Sequence, residues 1–117
     1  MIALTLPYPP SANRYWRAVQ GRVLISKEGR QYREAVFAAL CGKGGSKAVS
    51  GDDRVRFRMV VNPPDRRRRD LDNTLKAVCD SLTHAGVWQD DSQVDALTVT
   101  RGEVKPGGEV TVIVERM

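Results

Sequence analysis

The residues Pro64-Asp65-Arg66-Arg67-Arg68-Arg69-Asp70-Leu71-Asp72-Asn73 concentrate more chemically capable side chains than any other stretch of this sequence. Four consecutive arginines supply forked donors matched to phosphate oxygens. Two carboxylates follow at once. On a regular helix Asp70 and Asp72 would project about 200° apart, at roughly 100° per residue. They converge only if one of them lies outside the helix, as an N-cap or in an extended lead-in, and the prolines upstream favour such an entry. Lys76, four residues after Asp72, shares its face and stands clear of the stripe made by Leu71, Leu75, Val78 and Leu82. A second acidic pair, Asp90-Asp91, follows Gly86-Val87-Trp88-Gln89. A chain that leaves a helix there and re-enters a sheet can return these acids to Asp70 and Asp72. Converging carboxylates raise one another's pKa unless a cation neutralises them. An oxygen-only donor set suits Mg²⁺ or Mn²⁺ and disfavours zinc. With arginines alongside, the pattern is that of a metal-dependent phosphodiesterase. The ion would activate water and stabilise the leaving oxygen, and Lys76 would offset negative charge in the transition state.

Each piece also has a plainer reading. An Asp at a helix start is commonly a cap, a basic run can tether phosphate without chemistry, and Asp72 with Lys76 can be a surface ion pair worth a few tenths of a kcal/mol. Their co-occurrence in one short stretch favours a site. Asn13, Arg14, Tyr15 and Trp16 form a second polar and aromatic cluster. It fits either a core contribution from Tyr15 and Trp16 or a nucleic-acid surface, with Arg14 on phosphate and an aromatic ring against an exposed base. His84 reads as a partner of a helix C-terminus, and Cys41 and Cys79 as small buried residues. No Ser-His-Asp set, P-loop or dinucleotide fingerprint is present.

The elements that must position these groups follow from periodicity. Ile2 to Leu6 reads as a strand stopped by Pro7, Pro9 and Pro10, and Val23 to Ile25 as another. Ser26 is a candidate N-cap for a helix to about Cys41, with Tyr32, Val36, Phe37 and Leu40 on one face. Gly42, Gly44, Gly45 and Gly51 punctuate a loop. Val55, Phe57, Met59 and Val61 alternate with Arg54, Arg56 and Arg58, the pattern of a half-buried strand. A second helix starts near Asp70 and is capped by Gly86. Val94 to Arg101 and Glu109 to Glu115 read as strands joined across Pro106, Gly107 and Gly108. The order ββαβαββ predicts an α+β fold, two helices packed on a mixed β-sheet in a single compact domain.

Composition sets the bounds. The chain has 117 residues, 41% hydrophobic and 28% charged, with 19 Lys and Arg against 14 Asp and Glu. That excess points to a polyanionic partner, nucleic acid before membrane. Residues 1–50 carry eight basic and two acidic side chains, and residues 51–117 eleven and twelve. The later acids, at Asp70, Asp72, Asp80, Asp90, Asp91 and Asp95, crowd behind the arginine run as a site would. No apolar run approaches the ~20 residues of a membrane span, no signal peptide is read at the N-terminus, and two cysteines without a disulfide pattern make the cytoplasm the expected compartment.

Three stretches together resemble one family. Pro9-Pro10-Ser11-Ala12-Asn13-Arg14-Tyr15-Trp16, Pro64 to Asn73 with Leu75-Lys76, and Trp88-Gln89-Asp90-Asp91-Ser92-Gln93-Val94 are similar to RusA-type Holliday junction resolvases, in the same order and over almost the whole chain. The resemblance implies one RusA-like endonuclease domain over residues 1–117. It also implies a Mg²⁺-dependent homodimer that cuts four-way junction DNA symmetrically, preferentially near CC dinucleotides. By position, Asp70, Asp72 and Asp91 match the family's catalytic, metal-binding carboxylates and Lys76 its essential lysine. Asn13 to Trp16 and Arg66 to Asn73 match its DNA-contacting segments, and Asp90 is read as a supporting acid. The loop after Cys41 and Asp95 fall outside the pattern. Prophage homes are common in the family, which implies a bacterial or phage source. A non-catalytic junction-binding module of the same fold is the main alternative, which intact Asp70, Asp72, Lys76 and Asp91 oppose. A general structure-selective nuclease or an RNA-binding protein is a further one, since net charge does not tell these polymers apart.

Overall fold

The computed structural model describes residues 1–42 and 49–117. The glycine-rich loop read at Gly44 and Gly45 lies outside the described residues. Strand β1 (Ile2–Pro7) is followed by a single helical turn α1 (Ala12–Tyr15), a hairpin of β2 (Trp16–Val19) and β3 (Arg22–Ile25), and the long helix α2 (Lys27–Gly42). Next come β4 (Val55–Asn62), a 3₁₀ turn at Leu71–Thr74, α3 (Leu75–Ala85), a second 3₁₀ turn at Asp91–Gln93, β5 (Val94–Arg101) and β6 (Glu109–Arg116).

Alternation makes β4 the spine. Its Val55, Phe57, Met59 and Val61 are buried while Arg56 and Arg58 face outward. The sheet order is β1-β6-β4-β5, with β4 antiparallel to β6 and parallel to β5. The mixed sheet expected from the sequence is therefore present, and α2 and α3 pack on its inner face through Val36, Leu40, Val78 and Leu82. A parallel pair requires a crossover, and α3 with its two flanking 3₁₀ turns is that crossover. Gly86 ends α3 in the left-handed region at φ 87°, the conformation that a C-cap glycine supplies without a Cβ penalty.

Four expectations need correction. Val23 to Ile25 is a strand but does not join the main sheet; it pairs with β2, which the periodicity did not reveal. The turn between them is Gln20-Gly21, both at positive φ, a two-residue hairpin loop without the usual Asn-Gly signal. β5 and β6, though consecutive, are not partners, because β4 lies between them. Phe37 is 45% exposed rather than part of the α2 core face, and Cys41 is exposed rather than buried.

The hairpin and α1 are seated on α2 by close approach. Ser26 caps α2, its Oγ accepting from Gly29 N at 3.0 Å and donating to the Tyr15 carbonyl at 2.9 Å. Gly29 lies against the same carbonyl: a Cβ there would sit 2.5 Å from Tyr15 O and 2.7 Å from the Ile25 side chain. In an open helix Ala is better than Gly by about 1 kcal/mol. Here the sign reverses. Gly29→Ala is expected to lower the denaturation midpoint; a variant more stable than the parent would refute the contact.

Candidate metal and nucleic-acid site

The groove between α3 and the edge strand β5 holds a cavity of about 490 Å³. It is lined by Asp72 from the first 3₁₀ turn, Leu75, Lys76 and Cys79 from α3, Asp91 from the second turn, and Val94, Asp95 and Leu97 from β5. Three of the residues singled out in the sequence, Asp72, Lys76 and Asp91, thus meet around one space. Asp70 does not line it. It is the N-cap of the first 3₁₀ turn in extended conformation (φ −75°, ψ 135°), outside the helix, the placement that spacing asks of at least one member of a converging pair. Among the described residues no three His, Cys, Asp or Glu groups stand close enough together to hold an ion as they are. The donors are nonetheless of one chemical kind. Asp70, Asp72 and Asp91 are exposed carboxylates. The cavity has a single thiol, Cys79, which burial pushes up to about 12, with Asp91 and Asp80 adding to the effect. A hard, oxygen-preferring divalent cation fits this set and a thiophilic one does not.

Two anchors bring Asp91 back to α3. Trp88 is buried, its ring edge-on to Phe57 at 5.4 Å and 85°, and its Nε1–H donates to Thr83 Oγ1 at 2.6 Å. The other anchor, Gln93, was not singled out in the sequence. It is 3% exposed. Its Oε1 accepts from Gln89 N at 2.9 Å and Asp90 N at 3.2 Å, and its Nε2 donates to Ser50 O at 2.7 Å and Asp53 O at 2.9 Å. The signal that could have found it is the spacing Asp90-x-x-Gln93, the signature of a capping box. Asp90 turns away into a local role. Its carboxylate accepts from Ser92 N at 3.3 Å, forms a capping box with Gln93, and is held below the usual carboxylate range by those Ser92 hydrogen bonds. Asp95 lines the cavity but is committed to Arg54 Nη2 at 2.6 Å, which lowers its pKa.

The basic run is divided. Arg66, Arg67 and Arg68 are exposed. Arg69 bridges to Asp65 at 2.6 Å, and its carbonyl accepts from Arg101 Nη2 at 2.8 Å, which ties the connector to the end of β5. Arg69, with the Arg67 amide, holds Asp65 from its ordinary value of 3.8 down to about 2.

On the far side of Lys76 a second cavity of about 620 Å³ opens toward Asn13, Trp16, Arg17, Ala18 and Val23. Asn13 and Arg14 are exposed. Tyr15 is not: it is 0% exposed, so its ring is unavailable to a base and the structure corrects that expectation. Its hydroxyl donates to Asp80 and accepts from Arg33 Nε at 2.9 Å, while Arg33 Nη2 reaches Asp80 at 2.7 Å. Burial and the Asp80 hydrogen bond raise the Tyr15 pKa. Asp80 is thereby a structural acid. His84 stands in the last turn of α3, where a helix C-terminus favours a cation.

A family model described as Endodeoxyribonuclease RusA matches residues 7–114. Among curated relatives, the Crossover junction endodeoxyribonuclease rusA of Enterobacteria phage 82 is 44% identical over 114 residues, which cover 97% of this chain and 93% of the relative. The protein of that name from Shigella sonnei (strain Ss046) is 43% identical over 115 residues, covering 98% and 94%. The one from Enterobacteria phage HK97 is 42% identical over 107 residues, covering 92% and 88%.

Two measurements check the geometry. Gln93→Met keeps roughly the volume and removes every side-chain hydrogen bond of a buried residue, leaving four part-buried backbone groups without these partners. Its denaturation midpoint should fall clearly, and an unchanged midpoint would refute the clasp. The Asp65 carboxyl should titrate near 2 by NMR and move back toward 3.8 in Arg69→Ala. Because its pKa is depressed on folding, any stabilisation from this pair is present above the ordinary value and is lost as pH falls through about 2.

Proposed function

The chain belongs to the RusA endodeoxyribonuclease family, and on that premise we propose that residues 1–117 form one endonuclease domain whose centre is the α3–β5 groove. It is a crossover junction endodeoxyribonuclease: its substrate is the four-way DNA junction, and the bond it breaks is a phosphodiester. The observation that carries the site assignment is the meeting of Asp72, Lys76 and Asp91 around one cavity, with Asp70 at the entry to the same turn.

In this reading Asp70, Asp72 and Asp91 hold Mg²⁺, with Mn²⁺ as a substitute. When bound, the ion supplies an activated water and charge stabilisation at the leaving oxygen. Lys76, exposed at the cavity wall, offsets the charge that develops on the phosphate. Arg66 to Arg69 and Asn73 take backbone phosphates of one arm, and Arg14 takes a further phosphate beside Asn13, with the Trp16 ring left for an exposed base and Tyr15 supporting them from the core. Asp90 supports Asp91 by fixing the turn that carries it. One chain carries one such cluster and a junction needs two cuts, so the working unit is an isologous homodimer whose two-fold axis matches that of the junction. Among the described residues no helix is long and apolar enough to cross a membrane. Relatives encoded by bacteria and phages are consistent with action in a bacterial cytoplasm.

Asp70→Asn, Asp72→Asn and Asp91→Asn should each abolish cleavage in Mg²⁺ while junction affinity holds or rises, since a negative charge beside phosphate is removed. Cleavage at the parental rate by any one of them would remove that residue from the site. EDTA should stop the reaction, and undiminished activity in EDTA would overturn the metal reading. Lys76→Ala should lower the single-turnover rate at saturating protein more than it weakens binding; a pure affinity loss would reassign it to phosphate contact.

A further inference from the structure

The cleft beyond Lys76 has more specific chemistry than a phosphate-binding surface needs. In the β2–β3 hairpin, Trp16 pairs with Ile25 and Ala18 with Val23, so the side chains of Trp16, Ala18 and Val23 share one face. That face lines the cavity with Asn13 and Lys76, and Arg17 joins them from the opposite face. The cleft therefore has an indole and two aliphatic side chains for walls, a side-chain amide at one margin, and cations at Arg17 and Lys76. Val23 is 69% exposed, so this apolar wall is open to an incoming group. The indole is also held in place. Trp16 packs edge-on against Tyr15 at 4.8 Å and 76°, and Tyr15 is locked from behind by Arg33 and Asp80. A rigid aromatic wall with an amide and flanking cations is what an unstacked nucleobase needs: a π-face to stack on, a hydrogen-bonding edge partner, and charge for its own phosphate. The volume, about 620 Å³, is within the range of small-ligand pockets.

We infer that this cleft receives one unpaired nucleobase from the centre of the junction, next to the phosphate that Lys76 addresses. The inference rests on the family reading of the Asp72–Lys76–Asp91 groove and adds a structural source of selectivity to it. Extracting a base from a continuous duplex costs a few kcal/mol, and least where the base is already unstacked. At the crossover point of four arms that cost is reduced. A duplex must meet it in full before its phosphate reaches Lys76, and a junction need not.

The test is a coupling measurement in EDTA, so that binding is read without cleavage. Each nucleotide flanking the crossover of an immobile junction is replaced in turn by an abasic residue, and affinity is measured by fluorescence anisotropy. The parent protein should lose about tenfold in affinity at one symmetry-related position, the scale of one base–aromatic stack. Trp16→Ala should lose a similar factor on the intact junction and then be indifferent to the abasic residue at that position. Trp16→Phe should restore the sensitivity. Because Trp16 is partly buried, Val23→Glu, an exposed substitution that puts a carboxylate into the cleft, should give the same indifference in a protein of unchanged stability. Losses that add independently at every position, or no sensitive position at all, overturn the inference. A parent protein that cuts junctions but shows no coupling refutes the base pocket alone; one that neither prefers nor cuts junctions refutes the family-based reading of the groove as well.

Discussion

Like charges do not gather unless something else holds the chain that carries them, and this structure is arranged around that constraint. Asp72, Asp91 and Asp95 line one small cavity from three different elements. They are held around it in two ways. Lys76 stands among them and Arg54 engages Asp95. The rest is done by packing some residues away: Trp88 set against Phe57 at the centre of the sheet, and Gln93 hydrogen-bonded on both ends inside the protein. The Trp88 indole donates to Thr83, whose hydroxyl donates to the Cys79 carbonyl one turn beyond Lys76, so the return loop is fixed to the same helix that forms the other wall.

Helix α3 is the common reference for both halves of the surface. Lys76 and Cys79 line the acidic groove, while Asp80 and Ser81 reach the Tyr15 hydroxyl on the side of α1. A carboxylate that looks in sequence like one more site acid is instead satisfied by Arg33 and Tyr15. Its effect is geometric. It fixes the distance between the turn that carries Asn13 and Trp16 and the helix that carries Lys76.

How much of this could be read in advance depended on the kind of signal. The strict alternation from Val55 to Val61 and the Leu71–Leu82 stripe are burial patterns, and both elements are where such patterns put them. Angular spacing asked that at least one of Asp70 and Asp72 lie outside the helix if they are to converge, the upstream prolines favoured such an entry, and Asp70 has the extended backbone. Other features left no periodic trace. Strand β2 has four residues and closes through Gln20-Gly21, whose turn chemistry is weak in glutamine. Gln93 is buried because four partners converge on it: the Asp90-x-x-Gln93 capping-box spacing encodes the contacts to Gln89 and Asp90, but no local pattern encodes those to Ser50 and Asp53. Tyr15 could serve core or surface equally well until Asp80 and Arg33 were located beside its hydroxyl.

The hairpin stands apart from the four-stranded sheet, and that separation has a kinetic meaning. Two paired strands of four residues are marginal by themselves. Their base is held by Ser26, but the Gln20-Gly21 tip has no third strand to lean on. Local opening at the tip therefore takes much less free energy than opening β4, which is paired on both sides. Amide hydrogens from Ala18 to Val23 are accordingly expected to exchange faster than those of Phe57 to Val61. The tip side of the cleft wall, at Ala18 and Val23, can yield to an incoming strand and close again many times within the lifetime of a single folded core, while the Trp16 end stays held and the spacing of the acids behind it is undisturbed.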